Sequence, residues 1–175
     1  MEIDIFPDKI QARARVSLEE VLVQNALGTG TTDANVALAE LCRRHGDYLL
    51  QHLHFLADDK LLAGRVTRVT TPAKTGSQRA LYDFEYELAA KPIQIRVDEN
   101  VLNEFDYAPG NRWEATYVVR VTQQGQPPVE GLLLTSREPL AIDCKWDAQS
   151  QQAAPATLDK WRLIKEYVRH GIMIV

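Results

Sequence analysis

The stretch Arg79-Ala-Leu-Tyr-Asp-Phe-Glu-Tyr-Glu-Leu-Ala89 decides the fold. Ala80, Tyr82, Phe84, Tyr86 and Leu88 alternate with Leu81, Asp83, Glu85 and Glu87. A period of two sends successive side chains to opposite sides of a strand, so the rings share one face and the acids the other. Such a strand suits an antiparallel sheet with one dry and one wet side.

Toward the N-terminus, residues 9–16 repeat the pattern. Ile10, Ala12, Ala14 and Val16 alternate with Lys9, Gln11, Arg13 and Arg15. Residues 2–6 alternate more briefly, and Pro7-Asp8 is a turn signal, so the first two strands are expected to form a hairpin. Downstream, strands are predicted over 52–56, 61–71, 92–97, 112–123, 131–136 and 140–146. Asp58-Asp59-Lys60, Ala108-Pro-Gly-Asn111 and Gly125-Gln-Pro-Pro128 supply turns.

Two helices interrupt the early strands. Ser17 and Glu20 form a capping box, which predicts a helix over 18–26 stopped by Gly28. Thr32 or Asp33 is expected to cap a second helix running through about residue 51, with Gly46 as a candidate kink. Residues 148–157 are polar and Ala/Gln-rich, like a linker. Leu158, Trp161, Leu163, Ile164, Tyr167 and Val168 then predict a C-terminal amphipathic helix over 158–175. The expected architecture is mainly β (α+β): an antiparallel β-sandwich or barrel-like sheet over residues 1–147, with two helices inserted after the first strands.

Composition narrows the function classes. The 175 residues are 45% hydrophobic and 25% charged, with net charge -4, which describes an ordinary globular domain. The basic residues are scattered, unlike a nucleic-acid footprint. No window reaches the roughly 18 apolar residues of a membrane span. Cys42 and Cys144 make no CxxC. They are read as free thiols, although a pair closing so long a loop would stabilise by up to about 4 kcal/mol.

The densest chemistry lies in Cys42, His45, His52 and His54. Cys42, His45 and His52 fall on one face if the second helix continues, and Cys and His are ligands for nickel or zinc. These three are the candidate metal residues, weighed against a plain core cysteine and a surface histidine. Asp33-x-Asn35 fails the calcium-loop template, since Arg44 occupies the twelfth position. Ser17 and Thr32 read as caps, and Ser136 lacks a GxSxG elbow. The pairs Glu85/Glu87, Asp98/Glu99 and Glu104/Asp106 read as solvated charge. No catalytic residue is expected, and no resident cofactor beyond the nickel or zinc alternative.

The order of features also carries a resemblance. A strand pair and helix lead to Asp33 and Asn35, then to Ala37-Leu-Ala-Glu-Leu-Cys-Arg-Arg-His45, Asp47-Tyr-Leu-Leu50 and Leu53-His-Phe-Leu-Ala-Asp-Asp59. Lys165-Glu-Tyr-Val-Arg-His-Gly-Ile172 follows near the end. This arrangement resembles the extracytoplasmic N-terminal domain of HupE/UreJ-like membrane proteins, although the acidic loop departs from theirs. The resemblance implies a non-enzymatic periplasmic module, tethered to a membrane-embedded continuation of the same chain or serving a partner protein. Its implied role is protein interaction or metal delivery. The alternative is a free-standing soluble ligand- or transition-metal-binding protein, cytoplasmic if Met1 is the native start.

Overall fold

A computed structural model describes residues 1–29, 36–73 and 78–146. Strands β1 (Glu2–Ile5) and β2 (Lys9–Ser17) form the expected hairpin, with Ile3 opposite Ala12 and Ile5 opposite Ile10. Along its whole length β2 pairs antiparallel with the strand at Arg79–Glu87. There Ala12 lies opposite Phe84 and Ala14 opposite Tyr82, so small side chains leave room for rings.

Between these strands the chain forms α1 (Leu18–Thr29), α2 (Leu38–His52), β3 (Leu53–Ala57), β4 (Lys60–Leu61) and β5 (Gly64–Thr70), which makes the Arg79–Glu87 strand β6. After it come β7 (Gln94–Glu99), the small hairpin β8 (Asp106–Ala108) and β9 (Asn111–Arg112), then β10 (Tyr117–Gln123), β11 (Val129–Leu133) and β12 (Leu140–Asp143). The large sheet has the order β11-β10-β1-β2-β6-β5, and the smaller one β12-β7-β3-β4. Their apolar sides meet: Phe55 of β3 stacks on Tyr86 of β6 with centroids 4.3 Å apart. Tyr82, Phe84, Tyr86, Ile95 and Val97 are all buried. Burying each such side chain contributes about 1.5–3 kcal/mol. The mainly β, sandwich-like expectation holds.

The wet face also matches the alternation. Arg13 meets Asp83 at 2.6 Å, Lys9 meets Glu85 at 3.1 Å, and Arg65 also reaches Glu85. Hydrogen bonds from Lys9, Arg65 and Gln11 hold the Glu85 carboxyl down at about 2.

Several boundaries differ from expectation for local reasons. β1 and β10 run parallel, because the N-terminal strand slots between its hairpin partner and a strand from far along the chain. α1 continues through Gly28 to Thr29. α2 begins at Leu38 behind Ala37, which makes no side-chain cap; Thr32 and Asp33 lie outside the described residues. α2 is unbroken at Gly46, where a Cβ would sit 3.3 Å from the Tyr82 ring, so this glycine permits close helix–sheet approach. His52 closes α2 and does not open a strand. The strand expected over 61–71 divides: β4 belongs to one sheet and β5 to the other. The strand expected over 112–123 likewise divides into β9 and β10. The turn after β3 forms as expected, with Asp58 and Asp59 at φ 47° and 65°. The 148–157 linker and the 158–175 helix lie outside the described residues.

Candidate functional site: a buried polar cluster beneath the first helix

The capping box forms in half. Ser17 Oγ accepts from Glu20 N at 3.1 Å, as a helix start needs. The Glu20 carboxylate then turns inward. Its Oε1 accepts from the Tyr117 hydroxyl at 2.7 Å and lies 3.1 Å from His45 Nε2. One turn later on α1, Gln24 Oε1 lies 3.2 Å from His45 Nδ1. The i, i+4 spacing of Glu20 and Gln24 therefore brackets one imidazole from α2. Asn25 donates to Val21 O at 2.8 Å and to Leu41 O at 3.4 Å, which joins the two helices.

His45 has no solvent exposure. Burying an imidazole is costly unless its nitrogens find polar partners, and here each nitrogen lies within hydrogen-bond distance of a side-chain oxygen. Its ring packs on Tyr48 at 5.5 Å and on Tyr82 at 5.7 Å. Burial, reinforced by Glu20, pushes the Tyr117 phenol well above its ordinary value, which makes it a committed donor.

A second part of the cluster lies where α2 and β7 end. Tyr48 sits 4.1 Å from the His52 ring, and its hydroxyl accepts from Leu102 N at 2.8 Å. Leu102 holds φ at 64°, a left-handed conformation costing roughly 1–2 kcal/mol. His52 Nδ1 lies 2.8 Å from Asn100 Oδ1, and its Nε2 is 3.8 Å from Glu104. Glu99, the last residue of β7, is only 2% exposed. Its Oε2 accepts from Val101 N at 2.7 Å, while Oε1 has no hydrogen-bond partner among the described residues. Burial raises this carboxyl to about 7, and the charges of Glu114, Glu20 and Asp98 push the same way.

The three candidate metal residues go to different neighbours. Cys42 is buried against Tyr82 and Thr71, and burial raises its thiol, which favours the unreactive form. His45 faces Glu20 and Gln24, whereas His52 faces Asn100 and Glu104. His45 and His52 do share contact with Tyr48. Among the described residues no group of three or more His, Cys, Asp or Glu is arranged to hold a metal ion. His54 lies apart, 3.1 Å from Gln51 O and 3.8 Å from Asp98. Both Cys42 and Cys144 are free thiols.

One expectation is overturned outright: Glu99 is buried, not solvated. The signal was present in its own strand. Ile95, Val97 and Glu99 share one parity in β7, so whatever buries the first two buries the third. Glu20 was expected only as a cap, and Tyr117 only as a strand residue. Chemically the arrangement is a brace, in which a carboxylate links a phenol and an imidazole inside the fold. No family model, curated protein or solved structure matches the chain.

Proposed function

We propose that this chain is a non-enzymatic, extracytoplasmic module of a HupE/UreJ-like membrane protein and acts through protein interaction. The observation that supports this reading is the inward turn of its chemistry-bearing side chains. Glu20, His45 and Tyr117 satisfy one another in the interior, and Cys42 is buried as a raised thiol. Such groups fix helices to sheets and offer no nucleophile or base to a substrate.

The test is to read the gene past codon 175 and fractionate its tagged product. A reading frame that continues into an apolar span, with product in membranes and this domain cleaved by protease added outside, fits the proposal. A product recovered in the soluble cytoplasmic fraction overturns it.

A second reading, a transition-metal-binding protein using Cys42, His45 and His52, draws on the shared contact of both histidines with Tyr48. Equilibrium dialysis with nickel and zinc tests it. Stoichiometric uptake that is lost in Cys42→Ala and His52→Ala supports metal binding, and uptake unchanged by both substitutions refutes it.

A further inference from the structure

Beside the buried Val21, α1 carries an unusual set of polar residues on its inner side. Its polar residues Glu20, Gln24 and Asn25 face the interior, as their contacts with His45, Tyr117 and Leu41 require. Its outward stripe is Leu22, Val23, Ala26 and Leu27, spaced as one helical face. Leu22 is 46% exposed and Leu27 42%, and Val23 and Ala26 are half-buried beside them. Single exposed apolar residues are ordinary, but a contiguous stripe above inward-turned polar partners marks a surface that another element covers.

We propose that this stripe is the docking site for residues 158–168 of the same chain. Three observations select that occupant. Leu158, Trp161, Ile164 and Val168 recur at helical spacing, so one face of the segment is apolar. The segment and its next residue carry Lys160, Arg162, Lys165 and Arg169 against Asp159 and Glu166, and the exposed stripe of α1 begins at the acid Glu19. The intervening residues 147–157, at about 3.3–3.6 Å each, reach at most roughly 36–40 Å, about the width of a domain this size. The tether keeps the segment at a local concentration near mM, where a modest apolar contact suffices. The inference does not depend on the membrane-tethered reading, because it concerns the 175-residue chain by itself.

The test places a benzophenone amino acid at Leu22, or at Arg43 on the charged outer face of α2, in the full chain. The Leu22 site is expected to give an intramolecular adduct with the peptide containing Trp161–Val168. Its yield should be unchanged on about tenfold dilution, as an intramolecular contact requires. The adduct should disappear in the double variant Trp161→Asp/Ile164→Asp, whose circular dichroism reports whether the domain remains folded, and Arg43 should give none of it. An adduct with a second copy of the chain, an adduct elsewhere in the chain, no adduct, or an adduct that survives the double variant in a folded protein overturns the proposal.

Discussion

The two helices lie side by side and obey opposite rules. α2 keeps Cys42, His45, Gly46 and Leu49 inside and turns Arg43, Arg44 and Asp47 outward. Its outer charges are laced together, with Arg43 bonding Glu40 and Asp47, and Arg44 bonding Glu40. α1 keeps Glu20, Gln24 and Asn25 inside and turns Leu22 and Leu27 outward. The difference shows that interior position follows from available partners as much as from hydrophobicity. His45 is fully buried, and α1 places a side-chain oxygen within hydrogen-bond reach of each of its ring nitrogens.

Breaking that arrangement at its centre should have the largest effect. His45→Ala strands the Glu20 carboxylate beside Tyr117 and opens a cavity under Tyr48, so a loss of about 3–4 kcal/mol is expected. Urea unfolding at unchanged slope measures it.

Glu99→Gln should act in the opposite direction, and only in one pH window. The folded-state carboxyl titrates near 7 against a reference of 4.5. Below 4.5 both states hold the proton and Glu99 has no differential effect. As pH rises from 4.5 to 7 only the unfolded chain releases it, so stability falls, and the loss is complete above 7. Glutamine still accepts from Val101 N and removes the ionisation. A gain of up to about 3 kcal/mol is expected above neutrality, vanishing at acid pH. Thermal unfolding across that range checks the sign.

Within α1, neighbouring residues should differ sharply. Val21 is fully buried whereas Leu22 is 46% exposed. Val21→Ala should cost about 2 kcal/mol, whereas Leu22→Ala, which weakens only a tethered contact outside the core, should cost less than about 1 kcal/mol by the same unfolding measurement.

The smallest effect belongs to the outside of α2. Hydrogen bonds from Arg43 and Arg44 hold the Glu40 carboxyl at about 2. Glu40→Gln should lower the melting temperature slightly in dilute buffer and not at all near about 1 M salt, where exposed pairs are screened.

The strand pattern made the body legible in advance. Period two at Ala80–Leu88 and Ile10–Val16 put the same side chains inside that the fold buries, and Ser17 capped its helix as its spacing required. The 61–71 stretch was misleading because its residues continue to suit strands while the backbone changes sheets between Leu61 and Gly64. Of the buried cluster, Glu20 drew attention in sequence as a cap, Glu99 as solvated charge, and His52 and His45 as metal ligands; none drew it for the contacts that His45 makes. Its partners could not be anticipated, since Glu20 and Tyr117 are joined by a contact spanning 97 positions. A capping glutamate looks the same in sequence whether its carboxylate returns to the helix start or crosses into the core. Glu99 was within reach, because strand parity alone assigns it to the inside.

The claim that α1 is held by polar contacts from beneath is tested most directly by a double-mutant cycle on Glu20→Ala and His45→Ala in urea. Coupling of about 1–3 kcal/mol is predicted, because the two side chains are 3.1 Å apart and share one network. Losses that add to within about 0.5 kcal/mol would contradict it.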